Sequence, residues 1–356
     1  MSLVSFFEGK KVVITGGCGS VGKELLSFLQ STDCAEIRIL DINEDGVFQT
    51  TREQASDERV HAEVCDIRNS EALTQSFWGC DYVFHLAAAK HVSLSESKPL
   101  EAVSTNILGT QSVINAALNA SIKRCIFTST DKAVNPTNAM GATKLVAEKL
   151  IAANAADNRF QTIFSSTRFG NVLGSSGSVV RIILEQILNK KPITITDPAM
   201  TRYVMSAAES VRLICAALRL SCGGEIFVPK MPVVRIGELV DAIISVVCKE
   251  GVISEGQIPS VKIVGPRLGE RMDEELMSRD ESERALELDD LYLIPSLFDK
   301  LDRDFSVAKF CPEMSGGSRH KHGVGGMTLL SGEALENLLR SSGCISDVLS
   351  SKKKCG

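Results

Sequence analysis

Apolar residues in the first third of the chain recur with two alternating periods. Residues 11–15, 36–40, 60–64, 82–86, 124–128 and 161–165 are short runs holding β-branched or aromatic side chains between polar or glycine-containing segments. Such runs predict strands. Between them, 21–29, 105–120 and 141–155 place apolar residues three and four apart, which predicts helices. Strands alternating with helices predict an α/β protein whose parallel sheet is covered on both faces. After residue 170 the rhythm changes: 178–189, 206–220 and 236–248 read as helices and 225–228 as one more strand. Residues 273–290 form a charged run, 314–326 a glycine-rich loop, and Ser331 the cap of a last helix reaching 339. Residues 350–356 read as a frayed end. This punctuation predicts a first domain over 1–175 to which 203–228 returns, and a smaller second domain from 176–202 and 229–310. A C-terminal loop, helix and tail would fill 311–356. No internal repeat or heptad pattern is present.

Composition narrows the function. The 356 residues are 44% hydrophobic, enough for one large or two modest domains. Lys and Arg number 39 against 44 Asp and Glu, a net charge of −5, so no basic stripe suits a nucleic acid. Aromatics at 5% leave little for base-stacking platforms. The acidity is local: 273–290 carries nine acids and two arginines, and the remaining residues sum to +2. That run is expected to be the solvated face of a C-terminal helix. The eleven cysteines are odd in number and lack C-x2-C spacing, and Cys125 and Cys215 sit inside apolar runs as small hydrophobes. No apolar run approaches the ~18 residues of a membrane span, and residues 1–11 lack a secretory pattern. A reducing cytoplasm is the expected location. His320 and His322 flank Lys321 in the glycine-rich loop, and no metal site is expected there or elsewhere.

The first chemical signal follows the first strand. Gly16, Gly19 and Gly22 stand at the spacing of a dinucleotide-binding turn, between a predicted strand and a predicted helix. Gly16 would permit the tight turn, Gly19 the approach of a pyrophosphate, and Gly22 close helix–strand packing. The N–H groups of Ser20, Val21 and Gly22 would then face the phosphates. Asp41 ends the second strand, where a carboxylate accepts both ribose hydroxyls and repels a 2′-phosphate, which favours NAD. Ile42, Asn43, Glu44 and Asp45 follow it with no cation. Asp66 and Ile67, after the third strand, are placed to meet the adenine, with helix capping an equal alternative for Asp66. Leu86, Ala87 and Ala88 supply small side chains where a flat cofactor lies against backbone. Together these features predict a Rossmann-type doubly wound sheet holding NAD.

Further strings carry a resemblance. They are His85–Val92, Thr130–Lys144 with Asp131 and Lys132 at its start, Arg168–Val179, Asp197–Tyr203 and Phe227–Lys230. On these the chain resembles an extended short-chain dehydrogenase/reductase from about residue 8 to about residue 280. More narrowly, it is similar to the nucleotide-sugar 4,6-dehydratases that act on UDP-N-acetylglucosamine in polysaccharide biosynthesis and flagellin glycosylation. One position departs from the superfamily's Tyr-x3-Lys pair: Met140 stands four residues before Lys144. Methionine cannot ionise, and the resemblance includes a subgroup with Met at this place.

The resemblance implies a redox-neutral dehydration. C4 of the sugar is oxidised by NAD⁺, water leaves across C5 and C6, and the hydride returns to C6. It implies Asp131 as acid to the C6 oxygen, Lys132 as base at C5, and Thr130 as the hydroxyl that meets the C4 oxygen. Lys132 must be uncharged when it acts, which the positive charges of Lys144 and the nicotinamide favour. Lys144 would bind the nicotinamide ribose, and Lys90 and Asn106 would also line the cofactor. For the UDP-sugar it implies Lys90, His91, Asn171, Ser178, Val179, Arg181, Thr201, Arg202, Arg267 and Glu270, with arginines on the pyrophosphate and Glu270 on the ribose. Asp273 stands where the family more often has His. His85 reads as a packed strand-end residue. Retention at C5, a homo-oligomer (dimer or hexamer) and bacterial surface-glycan synthesis are further implications. A nucleotide-sugar 4-epimerase, a C5-inverting dehydratase and a non-catalytic dinucleotide sensor are the alternatives.

Overall fold

The computed structural model describes residues 2–157, 159–296, 318–319 and 328–353. The expected 314–326 loop lies outside them apart from 318–319, as do His320, His322 and positions 354–356. The strands are β1 (Lys11–Thr15), β2 (Glu36–Asp41), β3 (Val60–Val64), β4 (Tyr82–His85), β5 (Arg124–Thr130), β6 (Ile163–Phe169), β7 (Asn171–Val172) and β8 (Ile193–Ile195). They continue as β9 (Thr201–Met205), β10 (Ile226–Pro229), β11 (Val233–Arg235), β12 (Val261–Ile263), β13 (Leu286–Glu287), β14 (Leu291–Ile294) and β15 (Ser318–Arg319). The helices begin with α1 (Leu3–Phe6), α2 (Ser20–Gln30), α3 (Glu44–Glu53), α4 (Ser70–Phe77), α5 (Val92–Ser97), α6 (Pro99–Val103) and α7 (Thr110–Asn119). Then come α8 (Ala139–Ala155), α9 (Val179–Leu188), α10 (Ala207–Leu220), α11 (Ile236–Lys249), α12 (Arg279–Arg284), α13 (Gly332–Ser341) and α14 (Cys344–Lys353).

Two compact units divide the chain. The first takes Met1–Phe169, Val211–Lys230 and the described part of Glu275–Val324. Its sheet runs β15-β13-β14-β10-β6-β5-β4-β1-β2-β3. From β3 to β10 every pairing is parallel, and β14, β13 and β15 extend the edge in antiparallel sense. The parallel part is the doubly wound Rossmann-type sheet, with the strand order reversing between β1 and β4, where such folds open a crevice at the carboxyl ends. Val13, Val83, Phe127, Phe164, Ile114 and Ala147 are buried together in its core.

Three expectations change here. The sixth strand, expected at 161–165, is Ile163–Phe169 and pairs with β5 over seven residues. The acidic run is not one solvated helix: it holds the six-residue α12, β13 and the turn into β14, and Glu281 in it is buried. For that reason the segment from Glu275 joins the first unit and not the second. The helix expected over 105–120 is instead a π-helical stretch, Ser104–Gly109, followed by α7.

The second unit takes Gly170–Ser210, Met231–Glu274 and the described part of Gly325–Gly356. It contains the small sheets β11-β9-β7 and β12-β8. Ile183, Leu184, Leu239, Ile243, Leu335 and Leu339 from α9, α11 and α13 form its core. Ser331 does precede α13, but its side chain makes no capping bond. Residues 350–353, expected to fray, belong to α14.

Candidate active site

The glycine-rich turn is set by close approach. Gly16 has φ +71°, and a Cβ on it would lie 2.6 Å from the Ala87 nitrogen. A Cβ on Gly22 would meet Gly17 Cα at 2.6 Å, so this glycine closes the helix on the turn and not on the strand as expected. No side chain caps α2 at Gly19, which leaves its first turn suited to an anion. Asp41 is fixed beside the turn: Oδ2 accepts from the Cys18 nitrogen and Oδ1 from the Asn43 nitrogen, both at 3.0 Å. Ile42 next to it is exposed. Asp66 does not cap a helix, because Asn69 caps α4. Its carboxylate is gripped by Arg68 at 2.6 Å, and Ile67 packs on Gly109. Gly16→Ala should lower stability by about 1–2 kcal/mol, the cost of a left-handed residue with a Cβ, and more if Ala87 cannot shift. Urea unfolding of the variant measures this, and an unchanged midpoint would refute the close approach.

Asn106 lies in the π-helical stretch and faces inward. Its Oδ1 accepts from the Ala89 nitrogen at 2.8 Å, and its Nδ2 donates to the Ala89 oxygen (3.0 Å) and Thr143 Oγ1 (2.9 Å). Asn106 thus holds the Ala89 backbone through both of its polar groups. Lys90 and His91 are exposed beyond it, and His91 precedes α5 without capping it.

The end of β5 gathers the acid and base candidates. Thr130 Oγ1 donates to Asp131 Oδ1 at 2.8 Å, and Lys132 Nζ lies 2.9 Å from the same oxygen. Asp131 is 0% exposed, and its Oδ2 has no hydrogen-bond partner among the described residues. A buried carboxylate oxygen left so costs about 1–3 kcal/mol or more, a penalty that an incoming hydroxyl would remove. Ser129 Oγ is likewise buried without a partner. The turn Asp131–Ala133 presses on α8 at Gly141, where any Cβ would collide with the Lys132 carbonyl oxygen. Glycine at 141 is thus what lets the pair sit over the helix.

Met140 and Lys144 both face the interior from α8. Lys144 Nζ donates to the Thr128 carbonyl at 2.6 Å and lies 4.0 Å from the Phe127 ring centroid. Burial pulls its amine down to about 7, against a smaller upward pull from Glu148. Its ε-carbon resonance should therefore titrate near 7 and not near 10.5. In Glu148→Gln, which removes the anion, the midpoint should fall further; a rise would contradict the assignment.

Arg168 carries a buried ion-pair network that its place in the sequence does not announce. It is 0% exposed on β6 and reaches Glu148 of α8 at 2.6 and 3.1 Å. It also reaches Glu281 of α12 at 2.9 and 3.0 Å and the Leu276 carbonyl at 3.0 Å. Burial opposes its charge, but Glu148 and Glu281 together hold the guanidinium above its ordinary value. Burial likewise opposes the Glu281 carboxylate, yet Arg168 brings it down to about 2.

In the second unit, Arg202, Thr201, Glu270 and Arg267 come together. Arg202 Nη1 donates to the Thr201 and Met272 carbonyls, and Nη2 lies 3.4 Å from Glu270 Oε1. Glu270 Oε2 accepts from the Arg267 nitrogen at 3.1 Å, and Thr201 Oγ1 donates to Asp273 at 2.6 Å. Asn171 begins β7, beside β9. Ser178 caps α9 through the Arg181 nitrogen, Val179 opens that helix, and Arg181 pairs with Glu185.

The sequence profile of the polysaccharide biosynthesis protein family matches residues 12–296. The chain belongs to that family. The chain is 43% identical over 291 residues to an uncharacterized membrane protein of Methanocaldococcus jannaschii, covering 82% of the chain and 87% of the relative. It is 38% identical over 316 residues to a UDP-glucose 4-epimerase of Rickettsia bellii, covering 86% and 88%. The X-ray structure of Pen from Bacillus thuringiensis superposes with a TM-score of 0.85 at 37% identity, over 95% of this chain and 99% of Pen. DesIV, a dTDP-glucose 4,6-dehydratase of Streptomyces venezuelae solved with NAD, shares the fold at 0.68 and 21% identity, over 76% and 89%. No helix among the described residues is long and apolar enough to cross a membrane.

Proposed function

We propose that the protein is an NAD-dependent UDP-N-acetylglucosamine 4,6-dehydratase that retains the C5 configuration. The observation that carries this reading is the Thr130–Asp131–Lys132 arrangement, with one carboxylate oxygen engaged and the other buried without a partner among the described residues. The close-set Gly16–Ala87 cradle and the anchored Asp41 carboxylate fit a dinucleotide. Bound there, NAD would supply the two-electron acceptor for the C4 hydrogen and the source of the hydrogen delivered to C6.

The chain's part is to move protons. Thr130 meets the C4 hydroxyl and takes its proton while passing its own to Asp131, along the 2.8 Å bond already formed. Lys132, uncharged, removes the C5 proton, and Asp131 gives its new proton to the C6 hydroxyl, which leaves as water. Lys132 then returns its proton to C5, so the pair ends the cycle as it began. Lys144, poised near neutrality, favours the oxygen anion forming at C4. Arg202 and Arg267 serve the sugar nucleotide's phosphates and Glu270 its ribose.

A UDP-sugar 4-epimerase is the second reading, favoured by the names of relatives at 38% identity. Epimerisation needs a base at C4 but no acid–base pair for C5 and C6. Incubation with UDP-N-acetylglucosamine in D2O, followed by NMR, separates the two. The expected product has lost the C6 hydroxyl and carries deuterium at C5 with its configuration kept. A C4 epimer of unchanged mass would replace this reading with the second.

A further inference from the structure

His85 ends β4, fully buried between two threonines. Its Nδ1 lies 2.8 Å from Thr15 Oγ1 and its Nε2 3.0 Å from Thr110 Oγ1. The neighbours fix the direction of both bonds. Thr110 gives its only hydroxyl proton to the Asn106 carbonyl at 2.7 Å, so it must accept from His85 Nε2–H. Nδ1 is then the bare nitrogen and accepts from Thr15. The Thr15 oxygen receives the Ala87 N–H at 3.5 Å.

The chain of bonds continues beyond Thr110. Asn106 holds Ala89 through both backbone groups, and its Nδ2 reaches Thr143, whose hydroxyl donates to the Met140 carbonyl at 2.7 Å. Ala87 is therefore tied through Thr15, and Ala89 through Asn106, with His85 joining the two anchors. The same Ala87 nitrogen is the atom that a Cβ on Gly16 would strike. Every donor in the series meets an acceptor, which is the condition under which a buried polar network rigidifies its surroundings. A charged imidazole would put a second donor against Thr15 and break that order. Burial, with Lys144 adding to it, holds the ring down at about 3, in keeping with the neutral form.

We propose that neutral His85, in its Nε2–H tautomer, is a positioning residue that holds the Ala87–Ala89 backbone in place for the dinucleotide and links it to the first turn of α8. This rests on the NAD reading above and not on the choice of sugar reaction. Phenylalanine at 85 keeps a ring but strands the hydroxyls of Thr15 and Thr110. Valine at 110 keeps the volume of threonine but removes the acceptor for Nε2–H.

The test measures NAD dissociation constants for wild type, His85→Phe and Thr110→Val by titration calorimetry, with ¹⁵N NMR of the histidines near neutral pH. Wild type should show a bare Nδ1 and a protonated Nε2 at His85. His85→Phe should bind NAD about ten- to a hundredfold more weakly, and Thr110→Val about three- to tenfold, as expected for buried hydrogen bonds lost. If His85→Phe does not fold, Thr110→Val and the wild-type tautomer decide. An Nδ1–H tautomer, or folded variants that bind NAD like wild type, would overturn the role of His85 and leave the NAD reading standing. Wild-type protein that takes no NAD would overturn both.

Discussion

Asparagine at position 131 should cut turnover of UDP-N-acetylglucosamine by about 10²–10⁴-fold while leaving NAD affinity near wild type. The substitution keeps the shape of the side chain and an oxygen for Thr130 and Lys132. What it removes is the carboxylate's capacity to take a proton from Thr130 and give it to the departing hydroxyl. Lys132→Ala should be as severe, because nothing else at the end of β5 takes the C5 proton. Reduced-cofactor absorbance in a single turnover separates the two: Lys132→Ala can still oxidise C4, whereas Asp131→Asn, with no acceptor for the C4 proton, cannot. Full dehydration by Asp131→Asn would end the assignment. Equal loss of NAD binding would mean that the turn has collapsed.

Methionine in place of Arg168 should destabilise the protein by about 3–5 kcal/mol, read from urea unfolding. Arg168 is the shared partner of two buried carboxylates, and its loss leaves Glu148 and Glu281 charged against each other. The triple variant with Glu148→Gln and Glu281→Gln should recover most of that loss, since the uncompensated charge is gone. Failure to recover would place the loss in packing. The network also sets an acid limit. Glu281 is held at about 2 against an ordinary 4.5, so its contribution is complete above pH 4.5 and is lost as pH falls towards 2.

What the sequence made legible follows from period and chemistry. β1, β2, β4 and β5 are apolar and bounded by turn residues, so their positions read directly within a residue or two. The glycine spacing located α2, and Asp41 lies where the second strand ends. β6 was misplaced because its last residues include Arg168, and an arginine reads as a strand's end. Only the partners Glu148 and Glu281, distant in sequence, make that arginine a core residue. The same pairing hid the fate of the acidic run, whose charges count as solvated until Arg168 is placed opposite them. β7, β8, β11 and β12 are two or three residues long and owe their existence to distant pairings. At the candidate site the motif points to Thr130, Asp131, Lys132 and Lys144, and the first three meet at the end of β5. The backbone grip of Asn106 and the carbonyl lying over Gly141 are not legible in the sequence. In both cases a side chain serves a neighbouring main chain, which a linear pattern does not display.

The way the chain alternates between its two units has a bearing on its synthesis. Phe169 completes β6, yet β10, the next strand of that sheet, begins only at Ile226, and β14 ends at Ile294. A ribosome adding about 5–20 residues per second would need on the order of ten seconds to deliver both. Until β10 emerges the nascent first unit carries β6 as an open edge, and from then until β14 follows, β10 is that edge, its amides ready to pair with any neighbouring strand. Glu281 arrives in the same late stretch, so Arg168 waits beside Glu148 alone until then. Yield in a heterologous host should therefore depend on nascent-chain chaperones more than the finished protein's stability would suggest.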